Sequence, residues 1–158
     1  MGVFAGRAHR GAFGDVPAMP TSSAVAPRVV HRHPVRVYWE DTDAGGVVFY
    51  ANYLKFFERA RTEWLRALGY SQEAMRREQG VMFVVTHTTV RYLQPARLDD
   101  LLEVTVATAS AKAASMVITQ QALRNGTLLA EGEIRIGCVD AQTFRPHRIP
   151  KELLQELE

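Results

Sequence analysis

Residues 35–68 read VRVYWEDTDAGGVVFYANYLKFFERARTEWLRAL, and two periodicities meet inside them. Val35, Val37 and Trp39 alternate with Arg36 and Tyr38, the period-2 pattern of a half-buried strand. Glu40, Asp41 and Asp43 then form a short acidic run, and Gly45-Gly46 ends any regular element. From about Tyr50 the period lengthens. Tyr50, Tyr53, Leu54, Phe57, Ala60, Trp64, Leu65 and Leu68 follow i, i+3, i+4, i+7 spacing, with Lys55, Arg59, Thr62 and Arg66 opposite. The pattern predicts a strand, an acidic glycine turn and a long amphipathic helix, stopped at Gly69.

Downstream, Ser71 is placed to cap a short second helix ending at Gly80. Residues 81–93 are rich in Val, Thr, Phe and Tyr and read as a strand, stopped by Pro95. Residues 100–111 alternate, with Leu102, Val104 and Val106 on one face and Glu103, Thr105 and Ala107 on the other. Residues 115–124 make another strand, Asn125-Gly126 a two-residue hairpin turn, and residues 127–139 the return. Pro150 followed by KELLQELE predicts a short helix with Pro at its first turn. One long helix followed by long strands on tight turns predicts an α+β domain with an antiparallel sheet.

Upstream, residues 1–33 are rich in Gly, Ala, Pro, Ser and Arg and lack periodicity. They read as a flexible extension to a domain of residues 34–158. Asp15 and the prolines break the apolar run a secretory signal needs. His31-Arg32-His33 has no further metal ligand nearby in sequence and reads as solvated.

A chain of 158 residues with 47% apolar and 23% charged residues is an ordinary globular domain. No stretch approaches the roughly 18 apolar residues of a membrane span. The lone Cys138 rules out an internal disulfide and fits a reducing cytoplasm. A pI near 8.9 invites nucleic-acid binding, but four arginines against Asp15 put +3 before Pro34. With +2 overall, the remainder carries about −1 with its charges interspersed, and no basic stripe for a nucleic acid emerges.

The acidic turn is where chemistry fits. The first amides of a helix are unsatisfied and partly positive, so they can polarise a carbonyl and stabilise an oxyanion. A nearby carboxylate can attack or activate water. Asp41 and Asp43 have a plainer reading as helix cap or Asx turn, and Asp41 is assigned to loop structure. On the helix, Glu58 stands at ion-pair spacing before Arg61 and reads as part of its surface. The acidic run lacks the oxygen-rich loop of a calcium site, so no metal is expected. No G-x-S-x-G elbow or glycine-rich phosphate loop is present, and Cys138 reads as an inert buried thiol.

YWEDTDAGGVVFYANY, residues 38–53, resembles the signature of the hydroxybenzoyl-CoA thioesterase family. The continuation LKFFERARTEWLRALGYS is similar to the Tol-Pal-associated acyl-CoA thioesterases within it, and the resemblance extends through TVRYLQPARLDD and GCVDAQTFRPHRIP. It implies a hotdog fold, in which a curved antiparallel sheet wraps a long helix, assembled as a homodimer or homotetramer. It also implies a cytoplasmic acyl-CoA thioesterase without a cofactor, linked to acyl carrier protein and the Tol-Pal system as partners. By this resemblance Asp43 is the catalytic carboxylate, as nucleophile or base, and the Tyr50 amide is the carbonyl donor; Glu58 and Glu63 are the alternative acids, because another hotdog thioesterase group uses a helix-borne carboxylate. Phe49 and Gly46 flank it as substrate-binding positions. Lys112 and Arg145 match basic sites for the coenzyme A phosphates, with Arg97, His147 and Arg148 as weaker candidates and solvated surface as the plainer reading. Tyr50 stands where the closer subgroup carries His, which removes any side-chain acid–base role there but keeps the backbone donor. A non-catalytic hotdog module binding acyl-CoA or acyl carrier protein is the alternative, disfavoured by the retained Asp43.

Overall fold

The computed structural model describes residues 28–158. The chain runs β1 (Val29–Arg36), a 3-10 turn (Trp39–Asp41), α1 (Asn52–Ala67), and α2 (Gln72–Ala74) continued by a π turn (Met75–Gln79). Then come β2 (Val81–Tyr92), β3 (Leu101–Lys112), β4 (Ser115–Arg124), β5 (Thr127–Asp140) and α3 (Lys151–Leu157). The five strands form one antiparallel sheet in the order β1-β3-β4-β5-β2. The α+β architecture expected from the sequence is the one found. Asn125 and Gly126 join β4 to β5 with φ of 49° and 79°, the paired left-handed conformation of a two-residue hairpin turn.

The sheet and α1 share one core. Tyr53, Phe56, Phe57, Ala60, Trp64 and Leu65 of α1 are buried in it together with Val104, Val106, Ile118, Ile134 and Ile136 of the sheet. Removing a large side chain such as Phe56 or Phe57 from water contributes about 1.5–3 kcal/mol. At Gly132 in β5, a Cβ would meet Phe57 Cε2 at 2.9 Å and the Thr89 carbonyl at 3.2 Å. The missing side chain therefore lets the Phe57 ring approach the middle of β5. Gln120 of β4 is a fully buried amide with its groups satisfied. Its Nε2 donates to the Phe57 and Thr105 carbonyls at 3.1 and 3.2 Å, and its Oε1 accepts from Arg61 at 2.8 Å.

Several local expectations are corrected. β1 begins at Val29, so residues 29–33 belong to the sheet rather than to an extension ending before Pro34. Pro34 concealed this, because a proline is tolerated in an edge strand such as β1. The expectation for residues 1–27 lies outside the described residues. Trp39 does not continue β1 and is 80% exposed. Asp41 Oδ2 captures the Tyr38 amide at 2.8 Å and the Thr42 amide closes onto the Trp39 carbonyl, which ends the alternation in a turn. α1 starts at Asn52, not Tyr50, and Leu54 is exposed because Asn52 takes the inward position at the first turn. Thr105 and Ala107, on the face of β3 opposite Leu102, Val104 and Val106, are buried as well; Thr105 Oγ1 accepts the Gln121 amide at 3.0 Å. Glu58 binds the Thr62 hydroxyl at 2.7 Å, and Arg61 turns inward to Gln120 instead.

Candidate active site

The link from β1 to α1 is a small hairpin. Thr42 pairs with Val48, the Asp43 amide donates to the Val47 carbonyl at 2.8 Å, and the Gly46 amide closes onto the Asp43 carbonyl at 3.0 Å. Gly46 sits at φ 74°, a left-handed conformation that glycine adopts without a Cβ penalty. Asp43 Oδ1 accepts the Gly45 amide at 2.8 Å, which is the Asx turn the sequence allowed. Its second oxygen is different. Among the described residues Asp43 Oδ2 is buried and has no hydrogen-bond partner. Leaving a buried carboxylate oxygen unmatched costs more than a typical hydrogen bond returns, so this oxygen is kept free against a stability cost.

Asp41 is structural, as expected. Besides holding Tyr38, its carbonyl accepts the Phe49 amide and Asn52 Nδ2, both at 2.9 Å. Asn52 thereby ties the acidic turn to the first turn of α1. Just before that turn, the amides of Tyr50 and Ala51 have no acceptor among the described residues. The tyrosine cluster lies here: Tyr50 packs on Phe49 (ring centroids 4.8 Å apart) and edge-on to Tyr92, whose hydroxyl donates to the Tyr50 carbonyl at 2.8 Å. Phe49 and Tyr50 are 36% and 48% exposed.

Residues 94–100 buttress the hairpin. Val48 donates to the Ala96 carbonyl at 2.9 Å, Val47 pairs with Arg97, and the Ala96 amide donates to Tyr53 Oη at 3.1 Å. Asp100 accepts the Arg97 amide at 2.8 Å and Arg124 at 2.6 Å, and Arg124 reaches the Pro95 carbonyl at 3.3 Å. Burial opposes ionisation of Asp100, but Arg124 and the Arg97 amide prevail and hold its carboxyl below the usual range. Burial pushes the Cys138 thiol up, as an inert buried cysteine requires.

The hairpin unites Asp43, Gly46, Phe49 and Tyr50. Lys112 and Arg145 lie elsewhere. Tyr92 pairs with Ala130, whereas Lys112 pairs with Ser115 and Ser115 with Gly137; Arg145 bonds Asp140 beyond that. Seven to ten residues of β5 separate them from the Tyr92 end of the sheet, roughly 23–33 Å at strand spacing. His147 and Arg148 share their end. Of the basic candidates, only the exposed Arg97 adjoins the Asp43 hairpin. Glu58 and Glu63 stand farther along α1 and are engaged by Thr62 and Arg66. No three His, Cys, Asp or Glu side chains among the described residues gather to hold a metal ion. Sequence reasoning missed Asn52, Tyr92 and the Asp100–Arg124 pair. An asparagine at the helix start was a usable sign, since its side chain serves turns and caps; the others had none.

A long helix packed on an antiparallel sheet, with a carboxylate hairpin feeding the helix start, is the arrangement that the hotdog resemblance implied. Residues 37–157 match the model of the thioesterase-like superfamily, and the chain belongs to that family. The acyl-CoA thioester hydrolase YbgC of Escherichia coli O6:H1 is 48% identical over 128 residues, 80% of this chain and 95% of that one. The acyl-CoA thioesterase YbgC of Haemophilus influenzae is 46% identical over 120 residues, 76% of this chain and 88% of that one. Among solved structures, a probable thioesterase from Bartonella henselae superposes with a TM-score of 0.73 at 32% identity, covering 76% of this chain and 98% of its own.

Proposed function

We propose that this chain hydrolyses an acyl-CoA, with a short, long or aryl acyl group, to free acid and coenzyme A. The observation that carries the reading is Asp43 Oδ2, buried and unpartnered in a hairpin that delivers the free amides of Tyr50 and Ala51. In one route Asp43 attacks the thioester carbonyl, coenzyme A leaves as the thiolate, and water cleaves the resulting anhydride. In the other Asp43 takes a proton from water, which attacks directly. In both, the Tyr50 amide donates a hydrogen bond to the carbonyl oxygen as negative charge grows on it.

The reading includes assembly. β2 is a twelve-residue edge strand bonded on one side to β5, with Val85 52% exposed. An open edge of that length invites pairing. Antiparallel pairing of two β2 edges about a two-fold axis brings the Asp140 end of one sheet beside the Tyr92 end of the other. Lys112 and Arg145 of the second chain then serve the coenzyme A phosphates at the first chain's Asp43. A homodimer, or a homotetramer of such pairs, acts in the cytoplasm in this proposal, with acyl carrier protein as a partner. No helix among the described residues is long and apolar enough to cross a membrane.

Free-thiol release from a panel of acyl-CoAs, comparing wild type with Asp43→Asn, tests the site. Turnover should fall at least a hundredfold while binding persists. Equal turnover would move the search to Glu58 and Glu63, and binding without turnover in either protein would favour a carrier or sensor.

A further inference from the structure

Tyr92 closes β2 opposite Ala130, yet its side chain leaves the sheet for the start of α1. Its ring stands edge-on to Tyr50, with centroids 6.3 Å apart at 83°, and to Tyr53, at 5.5 Å and 67°. Its hydroxyl donates to the Tyr50 carbonyl at 2.8 Å. That carbonyl shares a planar peptide with the Ala51 amide, so holding the oxygen fixes the direction of the N–H. The preceding peptide is held as well. The Phe49 carbonyl, which shares a plane with the Tyr50 amide, accepts the Asn52 amide at 2.8 Å. Two successive N–H groups are therefore oriented, and neither has an acceptor among the described residues. A hydrogen bond to a carbonyl also polarises its peptide and strengthens the donor at the other end. Burial, with the Tyr53 and Tyr50 phenols nearby, pushes the Tyr92 phenol above its ordinary range, so the hydroxyl keeps its proton at neutral pH.

We infer that Tyr92 is a positioning residue for thioester hydrolysis: its hydroxyl locks the peptide joining Tyr50 and Ala51 and makes the Ala51 amide a second donor to the substrate carbonyl oxygen, beside that of Tyr50. The inference rests on the acyl-CoA reading above.

Tyr92→Phe keeps the ring and removes only the hydroxyl. With the acyl-CoA that the wild type turns over fastest, kcat falls about tenfold, a fraction of the 10²–10³ lost with a whole oxyanion donor, and KM stays within about twofold. Tyr53→Phe is the control. It loses the Ala96 contact but leaves the Tyr50 carbonyl bonded, so a general role of the tyrosine cluster would lower both variants alike. A second readout is the infrared carbonyl band of the same isotope-labelled acyl-CoA bound to Asp43→Asn. Adding Tyr92→Phe moves the band back toward its position in water. Unchanged kcat, an unchanged band, or equal losses in the two tyrosine variants would overturn the inference. A wild type inert on every acyl-CoA would instead remove the reading beneath it.

Discussion

Gly45 offers a sharp test of the Asp43 carboxylate, because an added methyl group would press on it from a known side. A Cβ at residue 45 lies 3.0 Å from Asp43 Oδ1, about 0.4 Å inside an ordinary contact. The carboxylate has little room to yield, since Oδ1 already holds the Gly45 amide and Oδ2 is buried. The backbone of Gly45 is not left-handed, so Gly45→Ala is expected to change stability by less than about 1 kcal/mol. Misplacing a catalytic group by about 1 Å costs on the order of a hundredfold. A displacement near 0.4 Å therefore lowers kcat on the order of tenfold, about 1.4 kcal/mol at the barrier. Gly46→Ala supplies the contrast. Nothing lies within 4 Å of its Cβ, but its φ is 74°, and a left-handed alanine loses about 1–2 kcal/mol of stability. Thioester turnover and thermal unfolding of both variants are the assay. A Gly45→Ala protein with wild-type kcat would refute the idea that the carboxylate is held in place by this turn.

Two further outcomes follow from the packing. Gly132→Ala drives a methyl into Phe57 and the Thr89 carbonyl and is expected to cost about 1–3 kcal/mol, whereas Gly137→Ala, whose nearest neighbours stand 3.8 Å away, is tolerated; denaturant titrations compare the two. Asp100, with its carboxyl held low, stabilises the fold above its unfolded pKa of about 3.9, and that contribution is lost as pH falls through the lower folded value. Asp100→Asn therefore flattens the dependence of Tm on pH below about 4, and an unchanged acid limb would contradict the role given to the Arg124 pair.

The parts legible in the sequence are those written in local period and turn chemistry. The spacing of α1, the Asn125-Gly126 turn and the glycine run after Asp43 each reflect forces acting within a few residues. Trp39 and Leu54 were misplaced because a period does not say where it stops; the Asp41 carboxylate and the Asn52 side chain decide that. Tyr92 and the Asp100–Arg124 pair were illegible for a different reason. Their partners lie 42 and 24 residues away, and only the sheet order brings them together. The division of basic residues between the two ends of the sheet likewise emerges from strand register.

The single thiol has a practical consequence at the bench. Cys138 is 1% exposed, donates to the Arg148 carbonyl at 3.7 Å, and its burial disfavours the thiolate. A disulfide dye that reports released coenzyme A will therefore read product with little background from the native enzyme, since the thiolate is the reactive form. The same dye added without substrate becomes a clock for opening of β5, because labelling waits on exposure of that strand. One reagent thus follows both turnover and unfolding, and a variant whose lost activity comes from a loosened fold will betray itself by faster labelling.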